Sequence, residues 1–593
     1  MSHAYAFGAL PLAGGRTRFR LWAPGQPGVT LLRRDAPPLP MRPEAGAEGW
    51  WSLEAEAPPG TRYRYALGPG QAQGQEVPDP ASHAQDGDVD GWSVVTDHAA
   101  HRWKHADWRT HPWAQSVVYE LHVGAMGGFR GVIAALPRLA QLGVNTVELM
   151  PVNDFSGARN WGYDGVLPYA PDEAYGTPEE LKALVDAAHG HGIAVMLDVV
   201  YNHFGPAGNY WHSIAPGFFR DDLSTPWGDA IDFRRPEVRD FFIENALFWL
   251  REYRLDGLRL DAVHAIASDS FLPELARRVR GALPRPVYLV LENENNDAAL
   301  LEEHFDAQWN DDAHHCLHTL LTGEAEAYYA DYADRPAEHL ARALAEGFVY
   351  QGEVSANLGH ARGRPSGHLP PSRFVNAVQN HDQVGNRAFG DRIATLAPVD
   401  ALRAAQLVQL LSPAVPMLFM GEEFASERPF LFFTGFPSPE LAEAVREGRR
   451  REFAKFAAFQ DPERRARIPD PNHPGTFEAS RLDPAERTRP PKAEYEAYVT
   501  ALLALRRERL AHRLEGARSL GARVLGPAAV RAEWRLADGS VLGIAAQFGD
   551  EALPLSLPTH SLLAESAPGV ADALAGAELP PRSAIAWLRE DAA

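Results

Sequence analysis

From residue 117 onward, apolar runs of six or seven residues alternate with longer helical patterns, and this rhythm restricts the fold more than any other feature of the chain. The runs are 117–123, 146–151, 194–200, 257–263, 287–292, 305–310, 373–379 and 414–420. Most are apolar almost throughout, as strands covered on both faces must be. Strands that alternate with helices pair in parallel, and eight of them predict a closed (β/α)8 TIM barrel. The clearest helical pattern is 177–190, where Thr177 and Glu180 form a capping box and Pro178 occupies the first helical position. Another, 236–253, opens on Pro236. Two connections are longer than a simple barrel needs, 203–232 and 311–371, and excursions of this length at the C-terminal face build substrate clefts.

The flanks have a different texture. Residues 18–22, 29–32, 50–53 and 63–67 are short β-prone runs between Gly/Pro turns, which predicts a small N-terminal β-sandwich over 1–105. A Pro- and Gly-rich stretch, 68–91, and the Trp- and His-rich 101–112 lead into the barrel. The barrel region, 106–520, closes on the helical 493–514. Strand patterns return at 523–525, 530–536, 541–547 and 584–588, predicting a second small sandwich over 521–593. A length of 593 residues fits several such units.

Composition excludes some functions. The net charge of −21 argues against nucleic acid or an anionic membrane as partner. The longest apolar candidate for a membrane span, 407–420, is interrupted by Gln409, Ser412, Pro413 and Pro416. The N-terminal residues lack a basic segment followed by an apolar core, so no signal peptide is expected. The single cysteine, Cys316, rules out an intramolecular disulfide and permits a reducing compartment. Together these predict a cytoplasmic location.

Chemistry-bearing side chains gather where the predicted strands end. The third run leads to Asp198, Asn202 and His203. The fourth, GLRLDAVHAI, carries Arg259, Asp261 and His264. The fifth ends at Glu292, and the seventh leads to QNHDQ with His381, Asp382 and Gln383. In a barrel these ends converge on one pit. Arg259 and Asp261 on one face of a strand could be a structural ion pair. Converged with Glu292 and Asp382, they instead suit glycosidic cleavage, which needs two carboxyl groups flanking the scissile bond. Arg259 is expected to hold Asp261 ionised, and crowding by other acids to raise the pKa of Glu292.

These four segments resemble the four signature regions of the α-amylase family of glycoside hydrolases, in the same chain order. The resemblance implies that Asp261 is the nucleophile, Glu292 the general acid/base, and Asp382 a stabiliser of the transition state. It implies that Arg259, His203 and His381 hold the sugar at the cleavage point and that Tyr163, in WGYD, stacks on it. Within the family, YELHVG (119–124), VELMPV (147–152), WGYDGV (161–166), WNDDAHHCLH (309–318), FLFFTGF (430–436) and GRRREF (448–453) resemble the branch that releases trehalose from maltooligosyl trehalose and related α-glucans. Two departures are LENENND around Glu292 and Gly435 in place of an expected acid.

For a trehalosyl leaving group, the candidate contacts are the 309–312 loop with Trp309, Asp311 and Asp312, and Glu422 and Glu423 after the eighth strand; His264 and Gln383 are further candidate substrate-binding residues. Glu423 could equally pair with a nearby arginine. His314 and His318 with Asp311 and Cys316 invite a metal reading, but Cys316 would leave the shared face of a helix. Asn202 matches a calcium ligand of relatives without the accompanying carboxylates. No metal and no cofactor is therefore expected. The rival functions are a glucan-branching transglycosylase or general α-amylase-like hydrolase, and a non-catalytic α-glucan-binding protein.

Overall fold

The computed structural model describes residues 5–68, 74–454, 456–557 and 562–590. Residues 69–73 of the Pro- and Gly-rich stretch, and 1–4 of the segment read for a leader, lie outside the described residues. The eight apolar runs form a closed barrel in chain order: β1 (Val118–Leu121), β2 (Thr146–Leu149), β3 (Ala194–Val199), β4 (Gly257–Leu260), β5 (Tyr288–Leu291), β6 (Ala307–Trp309), β7 (Phe374–Ala377) and β8 (Val415–Phe419). All neighbours are parallel, and β8 closes on β1 through Val118 opposite Met417. The strands are shorter than the apolar runs because the last one to three residues of most runs already turn into the loops that bear the polar groups.

Side chains two residues apart along a strand share a face, so each strand contributes to successive layers of the interior. Val118, Met196, Val290, Trp309, Val375 and Met417 form an apolar cluster within the barrel. Trp108 and Trp113, from the segment entering the barrel, pack against it. Two residues further along, β1, β3 and β4 present Glu120, Asp198 and Arg259, all at most 1% exposed. The barrel thus changes from an apolar plug to a buried ionic layer within one strand repeat.

The capping box of the Pro178–Gly190 helix is formed on both sides, with Thr177 accepting from the Glu180 N–H and the Glu180 carboxylate accepting from the Thr177 N–H. Pro236–Glu252 is helical with Pro236 in its first turn. Its buried face takes the N-terminal sheets: Phe7 meets Phe241 edge-on at 5.2 Å, and the Tyr5 hydroxyl donates to Glu252. Those sheets, one built on Arg16–Trp22 and Trp50–Glu56 and the other on Val29–Arg33 and Arg62–Leu67, meet through Phe19 and Tyr63 at 4.9 Å.

The C-terminal region departs from expectation. Among the described residues it is one five-stranded antiparallel sheet, with only a two-stranded piece, Leu553–Pro554 and Glu578–Leu579, beside it. A second full sheet is unnecessary because one face, with Val530, Ala532 and Trp534, joins the main core. The Trp534 indole N–H donates to the Leu344 carbonyl of the Pro336–Glu346 helix. The other face is covered by the short Val570–Ala575 helix.

Both long excursions are partly ordered into elements. The one after β3 carries an antiparallel hairpin, Phe219–Thr225 with Gly228–Ile231. The one after β6 carries the Asp311–Thr322 and Pro336–Glu346 helices. The loops after β2 and β8 touch at Gly157, whose φ is +89° and where a Cβ would lie 1.9 Å from the Gly435 carbonyl oxygen. The absence of a side chain at 157 is what lets these two rims of the barrel meet.

Candidate active site

Arg259 is the centre of the site. It is 0% exposed on β4, and its Nη1 donates to Asp198 Oδ2 at 2.6 Å and Asp261 Oδ1 at 2.9 Å. Its Nη2 lies 2.6 Å from Glu292 Oε2. The guanidinium rests 4.0 Å above the Trp309 ring. Directly after Asp261 the chain turns sharply, with Ala262 at φ +38°, a strained conformation for a residue with a side chain. That turn aims the Ala262 N–H at Glu292 Oε2, 2.8 Å away. The nucleophile candidate and the acid candidate are therefore bridged by one cation.

The directions of shift at the two acids are opposite to those expected from sequence. Burial, then the charge of Glu292, pushes the Asp261 carboxyl well above the usual range. Burial also works to raise Glu292, but Arg259 and the Ala262 N–H outweigh it and hold the group below its usual value. The cause is geometric. Asp261 shares Nη1 with Asp198, whereas Glu292 has Nη2 and a backbone donor to itself.

The third acid comes from the loop after β7. Asn380 caps the short His381–Gly385 helix, and the Gln383 side chain completes a capping box by accepting from the Asn380 N–H. This fixes Asp382 in the first turn, where its Oδ1 lies 3.4 Å from His381 Nε2 and accepts from Asn386. The Tyr163 ring stacks on His381 at 5.1 Å and 22°, and its hydroxyl donates to Asp198. The His203 Nε2–H donates to the Tyr163 carbonyl, and the ring stacks on Trp227 at 5.1 Å. Burial lowers the His203 pKa to about 4, so the ring is neutral.

A cleft of about 340 Å³ opens on the Glu292 side, lined by His264, Glu292, Asp311, His315, Asp382 and Gln383 among others. The excursion after β6 supplies its far wall with Tyr328, Tyr332 and Arg362. Asp311 is raised to about 7 by burial and by the charge of Glu292. Sequence reasoning missed His315 and the wall. His315 was within reach, because it follows Asp311 by four residues and four-residue spacing shares a helical face.

Other expected contacts are elsewhere. WNDDAHHCLH is mostly helix, Asp311–Thr322, rather than a loop. One step round that helix from Asp311 turns Asp312 away from the cleft. It is 1% exposed and accepts from Tyr332, Asn296 and the Val349 and Tyr350 N–H groups, with Arg362 at 3.1 Å. Trp309 is 3% exposed inside the barrel, beneath Arg259, and offers no face to a sugar. Glu423 is fully buried against Arg138 at 2.8 Å and the Tyr119 hydroxyl, and Glu422 accepts from Gln406 and the Phe419 N–H. Neither lines the cleft, because both are buried and their carboxyls are taken up by these partners. Among the described residues, no three His, Cys, Asp or Glu side chains are arranged to hold a metal.

Residues 80–217 match the α-amylase catalytic-domain model, and residues 517–586 match a domain of unknown function, DUF3459. A closed parallel barrel with this match makes the protein a glycosidase of the α-amylase family. A malto-oligosyltrehalose trehalohydrolase of Arthrobacter ramosus is 42% identical over 514 residues, covering 83% of this chain and 87% of that one. Its counterpart in Deinococcus radiodurans is 41% identical, covering 84% and 83%. A crystal structure of a candidate alpha amylase from Salmonella typhimurium superposes with a TM-score of 0.92 at 42% identity, over 99% of this chain and all of that one. The chain belongs to the malto-oligosyltrehalose trehalohydrolase family.

The two adjacent acids of the Asp311–Thr322 helix separate binding from folding. Asp312→Asn leaves the buried Arg362 short of its charge partner and is expected to cost about 3–5 kcal/mol, seen as a lowered melting temperature. Asp311→Asn, facing the cleft, is expected to keep the wild-type melting temperature and to lower kcat/KM.

Proposed function

We propose that this protein hydrolyses, with retention, the α-1,4-glucosidic bond next to the terminal trehalose of maltooligosyl trehalose, releasing trehalose. The observation that carries the reading is the bridging of Asp261 and Glu292 by the single Arg259 guanidinium. Retaining glycosidases keep their two carboxyl groups about 5–5.5 Å apart, so that one attacks the anomeric carbon while the other protonates the leaving oxygen. Asp261 takes the nucleophile's role and Glu292 the acid's. A Glu292 proton passes to the glycosidic oxygen as the Asp261 carboxylate bonds to the anomeric carbon and trehalose departs. Glu292, now a carboxylate, takes a proton from water, which attacks the same carbon and frees Asp261.

In the ligand-free site Arg259 and the Ala262 N–H favour the charged form of Glu292, while burial and that charge act against one on Asp261. The two carboxyls are coupled, so the proton needed for catalysis belongs to the pair. A sugar that draws Glu292 away from Arg259 removes the contact that holds its charge. Binding energy is thereby spent on preparing the acid. Asp382, His381 and Tyr163 surround the sugar being cleaved, and the cleft on the Glu292 side receives the trehalosyl group. The substrates are α-glucans of this kind. A cytoplasmic location fits the single, buried Cys316; among the described residues, no helix is long and apolar enough to cross a membrane.

Asp261→Asn is expected to reduce turnover below about one-thousandth of wild type with the fold intact by circular dichroism. Glu292→Gln is expected to lose about 10²–10⁴-fold on maltooligosyl trehalose. On an α-maltooligoside with a dinitrophenyl leaving group, which needs no protonation, its first step should stay near the wild-type rate. Equal losses on both substrates would place the acid elsewhere.

The test of the substrate is the ratio of kcat/KM for maltopentaosyl trehalose over maltoheptaose, which is of equal length. The cleaved bond is the same in both, so discrimination must come from hydrogen bonds to the 1,1-linked ring. A maltosyl unit leaves such groups unpaired, and a ratio of about 10² or more is expected. A ratio near one would leave a general α-amylase-like hydrolase.

A further inference from the structure

We propose that Glu120 on β1 is a positioning residue for the cleavage reaction, holding the His381 ring as an imidazolium that fixes Asp382 against the sugar. The inference rests on the site reading above and extends it to a side chain in the barrel wall. Glu120 grips His381 at two points. Its Oε1 lies 2.5 Å from the ring Nδ1, and its Oε2 accepts from the His381 backbone N–H at 3.1 Å. Both residues are at most 2% exposed. The other ring nitrogen, Nε2, faces Asp382 Oδ1 at 3.4 Å.

A histidine with a carboxylate at each nitrogen makes both contacts attractive only when both nitrogens carry protons. The Tyr163 ring stacks on one face of the imidazole. Asp382 itself sits on a five-residue helix with a half-exposed side chain, so its second anchor is this ring. Removing Glu120 would release the ring and, through it, the third acid of the site.

The surrounding charges divide. Glu148 on β2, Asp198 on β3 and Glu292 directly after β5 each feel the His381 charge, while Arg259 on β4 opposes it. His122 after β1, its pKa lowered to about 4 by burial, is neutral. Burial lowers the His381 pKa, but Asp382 and Glu120 overcome it and raise it to about 10. The sign follows directly. The ring keeps its charge through neutral pH and loses it only as pH rises through that value, so activity should have an alkaline limb there.

The experiment compares wild type with Glu120→Gln, which keeps shape but not charge, and Glu120→Asp, which keeps charge. In 15N-histidine spectra of the ligand-free proteins, with His381 assigned by its loss in His381→Gln, the wild-type ring should remain doubly protonated up to about pH 9. In Glu120→Gln it should titrate at least about two pH units lower, and the alkaline limb of kcat/KM should move with it. Glu120→Asp should restore the limb toward wild type. A wild-type His381 that titrates near its ordinary value would overturn the proposal. So would a Glu120→Gln enzyme that loses activity with its limb unmoved, since that is what a purely structural glutamate would do. The spectra need no substrate, so a protein that fails to release trehalose would sink the substrate reading and leave this one standing.

Discussion

One guanidinium holds three carboxylates. Arg259 has no exposure to water, and Asp198, Asp261 and Glu292 each approach within 3 Å of its two terminal nitrogens. Burying a charge of either sign is costly unless it is paired, so none of these four groups is tolerable alone. The cation sits on the Trp309 face, which offers attraction without competing for its N–H groups. The apolar plug below and the acids above are therefore two halves of one arrangement. It also explains why the strands end where they do. Asp261 and Glu292 lie one residue beyond the ends of β4 and β5, and the turn after Asp261 supplies the Ala262 N–H to Glu292.

The same arrangement ties the two nearest acids to each other. Arg259 and the Ala262 N–H both favour a charged Glu292, whereas burial and that charge work against one on Asp261. That coupling belongs to the pair and not to either residue.

Much of this was legible in the sequence, for physical reasons that also mark where legibility stops. A strand buried on both faces is apolar almost throughout, so the eight barrel strands showed themselves. Asp261, Glu292 and Asp382 stood out as acids at the ends of apolar runs, where a charge is otherwise costly. The helix start at Thr177 was readable because capping is local. Asp312 and Glu423 were misassigned because direction within a helix or tight turn depends on rotation. Asp311 and Asp312 are identical in type and adjacent in sequence, yet about 100° of helix separates them. Trp309 was expected on a sugar because aromatic residues serve both cores and clefts. The opposite shifts of Asp261 and Glu292 were not legible, since they depend on burial and on the charges and donors that face each acid. The C-terminal sheet looked like half of a sandwich because strand patterns do not reveal that the facing layer is made of helices from another part of the chain.

That sheet bears on the far wall of the cleft. Trp534 is buried against the Pro336–Glu346 helix and hydrogen-bonded to its Leu344 carbonyl. The same helix lies within the excursion that carries Tyr328, Tyr332 and Arg362. The Asp261 and Glu292 carboxyls, by contrast, are set by the ends of β4 and β5, and that of Asp382 by the short helix after β7. The C-terminal sheet thus braces the excursion that walls the cleft, while the rim of the barrel carries the three acids. A change at this seam would reach the cleft through its wall and not through its floor.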